Sequence, residues 1–388
     1  MGLSARIVAL LAVLLVAVPA GAQTSAASLE VIQKFQLPDG NEIEFDGGRV
    51  YVNGYASSPN TGVHVFELGR SKLRHTGDLL CQGINDVAAM DRGFIAIGFQ
   101  QGGVGCNKPS SLPVTGFSGG VQIADMSDPA RGLLLGTIEL PGGVHTLTRL
   151  PGTDLVFTAL GGADAYAAFQ GLTHILDVSD PDKPEIAATY RSELNPAGCH
   201  DILFQEIDRK MIGFCPGLGG TEIWDMSDPL KPIAIGRMPL PAAQLPHRVA
   251  VSADGKMAAI SDEAYAGHAC AGGGPIGAMW FYDISDLANP KFLNFYGPQR
   301  GMLPVGAVSG QSLSCTAHNF NFIGNTYSLV IAWIAGGTQV LDVSDPAAIK
   351  EVAFYRPDDA VAMSSYWYRG KIYVADRNRG LEVLKLTP

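Results

Sequence analysis

One short motif returns along the chain and limits what the chain can fold into. It reads GVQIADMSD at Gly120–Asp128, GLTHILDVSD at Gly171–Asp180, GTEIWDMSD at Gly220–Asp228, GAMWFYDISD at Gly277–Asp286 and GTQVLDVSD at Gly337–Asp345. Two degenerate copies, GVHVFE at Gly62–Glu67 and GLEVLK at Gly380–Lys385, bring the number to seven. The copies lie about 53 residues apart on average, beyond the roughly 40–50 residues of a common four-stranded propeller blade, so several repeats must carry long loops. Each full copy is a short β-rich run closed by Asp-x-Ser-Asp. Its Asp and Ser side chains can bond nearby backbone N–H groups, and Pro often follows. A calcium-binding reading of these acidic turns competes, but a turn role explains every copy without a ligand.

The segments between copies are equally regular. After the turn comes an outer strand such as Lys291–Tyr296, then an inner strand such as His247–Val251. Ser252–Gly255 makes a hairpin turn, Met257–Ile260 returns, and the motif strand follows. Four strands in each of seven repeats predict an all-β, seven-bladed β-propeller. The stretch Leu29–Leu37 reads as an outer strand with no blade before it, and the last repeat, from Ala362 to Leu386, lacks an outer strand. The N-terminal strand is therefore expected to pair with the C-terminal blade and close the ring, which removes exposed sheet edges.

Composition agrees. The chain has 388 residues with 47 Gly and 24 Pro, a density of turn formers that suits many short strands and argues against a helical bundle. Only 16% of residues are charged and 47% are hydrophobic, the opposite of a disordered chain. Lys and Arg number 27 against 37 Asp and Glu, so no basic face is expected for nucleic acid. Met1–Ala22 reads as a secretory signal, with Arg6 ahead of the apolar run Ile7–Val18 and an A-x-A site before Gln23. That run is short of the roughly 20 residues a membrane-spanning helix needs, and no second one approaches that length. The expectation is a secreted or periplasmic protein, monomeric and without a membrane span, with residues 23–388 forming a single propeller.

The repeats resemble the LVIVD-repeat family, whose blades carry an apolar strand ending in Asp and a Ser-Asp-Pro turn. Ile175–Pro181 (ILDVSDP) and Val340–Pro346 (VLDVSDP) carry the resemblance best, although no copy spells the family name. No repeat carries G-H followed by W-D, the signature of WD40 repeats. The resemblance implies the propeller fold and leaves activity open, because a fold does not fix a function.

Six cysteines allow 15 pairings in principle. The repeat alignment narrows them. Cys199 lies just before an inner strand and Cys215 ends the next strand of the same hairpin, while Cys81 and Cys106 hold nearly the same places in the second blade. Cys270 and Cys315 remain. The expected bridges are Cys81–Cys106, Cys199–Cys215 and Cys270–Cys315. A free thiol or a metal-binding Cys is the competing reading.

Four histidines, His145, His200, His247 and His318, fall at the entry of inner strands. Asn41 and Asn85 hold the same register in the first two blades, and a small residue stands near Ala362 in the last. Inner strands line a propeller's channel, so these side chains converge at one rim. Three or four converging imidazoles suit a divalent transition metal such as zinc or copper. Glu263 in Ser-Asp-Glu can reach the same rim as a ligand or general base, and Glu263 and His200 are the candidate catalytic residues. The competing reading is that each His only bonds backbone at the channel mouth. His64 and His174 sit in motif strands and read as structural, while His75 and His268 receive no role. Asp201, Arg248 and Asn319 follow the histidines, and strand alternation makes them candidates for fixing neighbouring blades. Tyr366 reads as core or as a proton donor, and Tyr265 stands in a long loop. The loops 101–119, 161–170, 264–277 and 299–314 are expected on the histidine face, where function tends to gather.

There is no G-x-x-x-x-G-K-[ST] and no H-E-x-x-H. The expected function is binding of a divalent metal, a small polar ligand or both. Its enzymatic form would be a metal- or His-assisted lyase or hydrolase on a saccharide-like substrate. The alternative is a non-enzymatic scaffold at the cell surface or in the periplasm, bound to a protein partner.

Overall fold

A computed structural model describes residues 27–55, 61–100, 105–106, 119–140, 142–159, 171–195, 198–264, 274–297 and 315–387. The leader-like segment, Tyr265, His268, Cys270 and most of the four long loops lie outside the described residues. Those residues form seven antiparallel sheets around a central channel. Six sheets have four strands, and the first gains a fifth from Gly105–Cys106. In the first six blades the strands run in sequence order from the channel outward. Blade five, for example, runs Pro246–Val251, Met257–Asp262, Met279–Asp283, Lys291–Tyr296.

Closure occurs as the strand pattern predicts. Ser28–Phe35 pairs antiparallel with Gly380–Thr387, with Ser28 opposite Thr387 and Phe35 opposite Leu381. The last blade thus takes its outer strand from the start of the chain.

The repeat motif forms the third strand of each blade, and its burial explains its composition. Ile223 and Trp224 are both fully buried although they point to opposite faces, because each blade is covered on both sides by its neighbours. One core cluster joins Phe157 and Ile175 of blade three to Phe204 and Trp224 of blade four. Another joins Met279 and Phe281 of blade five to Ile331 and Trp333 of blade six. Outer strands, covered on fewer sides, alternate: Glu185–Arg191 is mostly exposed.

The acidic turns are capped from within. The first Asp of each accepts the Ser N–H two residues on, at 2.8 Å in Asp125, 2.9 Å in Asp177, 2.8 Å in Asp225, 2.9 Å in Asp283 and 3.0 Å in Asp342. The second Asp accepts a further N–H in the same five copies. These bonds give both carboxylates of each turn a structural role.

The turns also fasten blade to blade. Each third-to-outer strand pairing is broken by a β-bulge, and turns of following blades dock beside it. Gly136 donates its N–H to the Pro181 carbonyl at 2.9 Å, and Asn294 donates from its side chain to the Pro346 carbonyl at 2.7 Å. At Gly236 the fit leaves no room, since a Cβ there would lie 1.9 Å from the Leu287 carbonyl oxygen. Gly236→Ala should therefore cost about 1–3 kcal/mol by forcing two blades apart. Urea unfolding would measure it, and a loss below about 0.5 kcal/mol, the usual surface value, would mean this contact does not hold the blades.

Candidate metal centre

The histidine register places the side chains by a shared backbone contact. The N–H of His145 donates to the Ala159 carbonyl at 2.9 Å, that of His200 to Pro216 at 2.7 Å, and that of His318 to Ala332 at 2.9 Å. Each bond ties the start of an inner strand to the end of the second strand in the same blade. His247 lies where the Pro246–Val251 pairing is interrupted between Pro246 and Val249, and an irregularity of this kind re-aims a side chain. Ring centroids run in a row, 4.5 Å from His145 to His200, 4.2 Å from His200 to His247 and 4.1 Å from His247 to His318.

Glu263 meets this row from the end of the second strand of blade five. Its N–H donates to the Leu245 carbonyl at 2.9 Å. Thr316 of the following blade holds the flanking backbone, accepting from Ala264 N–H at 2.7 Å and donating to the Asp262 carbonyl at 2.8 Å. Asp262 in turn accepts the N–H groups of Gln244, Leu245 and Gly277. The carboxylate stands 3.6 Å from His247 Nε2, 3.7 Å from His318 Nε2 and 4.0 Å from His200 Nε2. Ligand atoms of His200, His247 and Glu263 all lie within 4.8 Å of one another. A tetrahedral shell with bonds of about 2.0–2.1 Å has ligand atoms about 3.3 Å apart, so small side-chain rotations would close this one around an ion.

Proton positions sharpen the case. His318 Nδ1 lies 2.6 Å from the Met363 carbonyl oxygen, which can only accept, so Nδ1 carries the hydrogen and Nε2 turns a lone pair toward Glu263. Both ring nitrogens of His200 and Nδ1 of His247 are buried without a hydrogen-bond partner among the described residues. Burial lowers all four imidazole pKa values: His318 to about 3, His145 to about 4, and His200 and His247 well below the ordinary 6.5, with neighbouring His charges adding to the last two. Burial also pushes Glu263 up to about 7, against the pull of Arg377 and with a further push from Asp262. His318 Nε2 thus turns a lone pair to the Glu263 carboxyl, and the Nε2 atoms of His200 and His247 stand near the same carboxyl at distances too long for a hydrogen bond. The donor set of nitrogen and carboxylate oxygen fits a transition metal.

His145 stands apart. Its Nδ1 accepts from Gln100 Nε2 at 2.7 Å and faces Asn85 Nδ2 at 3.1 Å, which places its proton on Nε2. It extends the row as a hydrogen-bonding residue beside the cluster.

The residues after the histidines tie the blades together, as their alternation suggested. Thr146 donates to the His200 carbonyl at 2.5 Å, and Asp201 accepts from Arg248 at 2.9 Å. Asp86 accepts the Leu147 N–H at 2.7 Å. Glu42 accepts from Tyr366, Asn319 and Ser364, so Tyr366 is held in this belt. Glu42, Gln100 and Arg377 are channel-side groups that sequence reasoning missed. Gln100 and Arg377 stand one residue past their second strands, as Glu263 does, and the repeat register could have found both. The channel encloses about 560 Å³ and is lined by residues of all seven blades.

Two of the expected bridges are seen, Cys81–Cys106 and Cys199–Cys215. Cys315 is also disulfide-bonded, and Cys270 lies outside the described residues. Cys81 differs from expectation in its setting. It ends the outer strand of blade one, Leu73–Gln82, which runs on to pair with Gly105–Cys106, so this bridge ties blade one to an insertion of blade two. Cys199–Cys215 flanks the His200–Pro216 contact directly. A second His/Asp group, His64, His75 and Asp78, lies off the channel. There Asp78 accepts from His64 at 2.6 Å and from His75 at 2.8 Å, which pairs a residue read as structural with one given no role.

Two outcomes follow. For His318 the unfolded chain binds a proton below pH 6.5 and the native site does not until about pH 3, so stability falls on acidification through that window. The slope is about 1.4 kcal/mol per pH unit. Metal-free His318→Asn should lose stability less steeply by that amount between about pH 6 and 4, and identical slopes in thermal melts would mean that His318 titrates freely in the native protein. The Cys199→Ser/Cys215→Ser double variant should lose about 2–4 kcal/mol; an unchanged unfolding midpoint would show that the bridge does not brace this blade.

The family described as LVIVD repeat matches residues 159–192. No curated protein matches the chain. Among solved structures, the WD40 beta propeller domain of Doa1 superposes with a TM-score of 0.54 at 12% identity, covering 93% of this chain and 96% of that one. At that identity the likeness concerns the fold alone. The chain is a seven-bladed β-propeller that carries the LVIVD repeat.

Proposed function

We propose that the channel is a transition-metal centre that binds a small polar ligand, with the metal held by His200, His247, His318 and Glu263. The observation that carries this reading is the approach of three buried imidazole Nε2 atoms to one carboxylate at 3.6–4.0 Å with no hydrogen bond among them. Buried polar atoms left without hydrogen bonds are costly. A divalent cation would satisfy them together, and zinc and copper both suit three nitrogens and one oxygen.

Once bound, the ion supplies Lewis acidity toward a ligand oxygen or a water. The protein's own part is to hold four ligand groups rigidly and to exclude bulk water. An enzymatic form of the reading is a lyase or hydrolase acting on an oxygen-rich, saccharide-like substrate. Glu263 or His200, whichever the ion leaves unbound during the reaction, is then the group placed to move a proton. The disulfides and the leader-like Met1–Ala22 support a periplasmic or extracellular setting.

The test is elemental analysis after incubation with zinc or copper and desalting. One equivalent of metal is expected in the wild type. His247→Ala and Glu263→Gln should each lower the affinity by at least about 10-fold, the loss of one ligand contact. A wild type that retains no transition metal, or variants that retain it fully, would remove this reading.

A further inference from the structure

Three arginines line the channel: Arg149, Arg248 and Arg377. Arg149 is paired with Asp91 at 2.5 Å and Arg248 with Asp201 at 2.9 Å. Arg377 makes no ion pair among the described residues, and its Nε is buried without a hydrogen-bond acceptor. Its guanidinium lies over the Tyr55 ring, 4.3 Å from the centroid. That contact holds the guanidinium in place and leaves the N–H edge for another group. Arg377 leads the charges that act on Glu263 and also acts on His318, so it shares their end of the channel. The carboxyls of Glu42, Glu44 and Asp201 respond instead to Arg248.

We infer that Arg377 is an anion-binding residue and that the channel's ligand is a small hydroxylated monocarboxylate. A buried guanidinium donor without an acceptor carries a desolvation cost that a carboxylate removes, and the planar fork of Arg matches a carboxylate with two parallel bonds. Further along the channel the lining offers the carboxyls of Glu42, Glu44 and Asp201, which provide no partner for a second negative charge on the ligand. They suit hydroxyl groups, which can donate to them. The volume of about 560 Å³ fits a molecule of sugar-acid size. This inference rests on the metal-centre reading for the ligand's second contact, a ligand oxygen on the ion.

The test is calorimetric titration with D-gluconate and, as its uncharged counterpart, sorbitol, on metal-free and on zinc-loaded protein, with metal content measured in parallel. Gluconate should bind more tightly than sorbitol in both forms. Arg377→Gln should weaken gluconate by about 10- to 100-fold, the worth of a charged hydrogen bond, while leaving metal content and sorbitol unchanged. Arg377→Lys, which keeps the charge without the fork, should fall between, and it stands in if the Gln variant melts early. Gluconate that fails to bind, binds no better than sorbitol or is indifferent to Arg377→Gln overturns the inference even where zinc is retained. Loss of zinc binding with Arg377-dependent gluconate binding intact would sink the metal reading alone.

Discussion

The inner ends of the blades are joined by a ring of polar contacts, and the rest of the channel is built on that ring. Asn41 donates to the Asn85 carbonyl at 3.1 Å, Asn85 to the His145 carbonyl at 2.6 Å, and Thr146 to the His200 carbonyl at 2.5 Å. Asp86, Asp201 and Glu42 continue it with their carboxylates. A channel wall is a place where seven inner strands present backbone groups with no further strand to pair them. Side-chain bonds from blade to blade satisfy those groups. The same bonds set the angular spacing of the blades, and that spacing decides which imidazoles meet.

Burial then does the chemistry. The ring keeps the channel narrow, so its imidazoles are held neutral and Glu263 is balanced between its two forms. An exposed cluster of the same residues would gain protons or ion pairs at little cost and would have no need of a metal. His64, His75 and Asp78 illustrate the contrast. There a more open carboxylate accepts both imidazole hydrogens, and each facing pair has a proton between its atoms.

The fold was legible because one motif fixes one strand and its turn, and the intervals between copies leave room for three more strands. The site was legible in part, because His145, His200, His247 and His318 hold one register and register is what a repeat makes visible. Two things could not be read this way. The separate standing of His145 depends on Gln100, 45 residues away in the neighbouring blade, and a hydrogen-bond donor across blades leaves no trace in spacing. Arg377 follows Asp376 as Glu263 follows Asp262, yet nothing in the pair Asp-Arg tells a surface ion pair from a guanidinium that lines a channel beside Tyr55. The placement of Cys81 failed for a geometric reason. Its outer strand is 10 residues long and overruns the blade, so alignment to the next blade was the wrong frame.

The pairing of Ser28–Phe35 with Gly380–Thr387 has a mechanical meaning. A stack of repeats with two free ends can fray from either one, and its stability is a sum over neighbours. A closed circle behaves as a hoop. Each blade is clamped from two directions, and loosening any joint releases tension all the way round. The ligand groups come from blades four, five and six, on an arc of the hoop that ends beside the seam blade, where His318 bonds the Met363 carbonyl. Strain at the seam reaches His318 through that joint, and His200 and His247 as a change in the circle's circumference that is shared among all the joints.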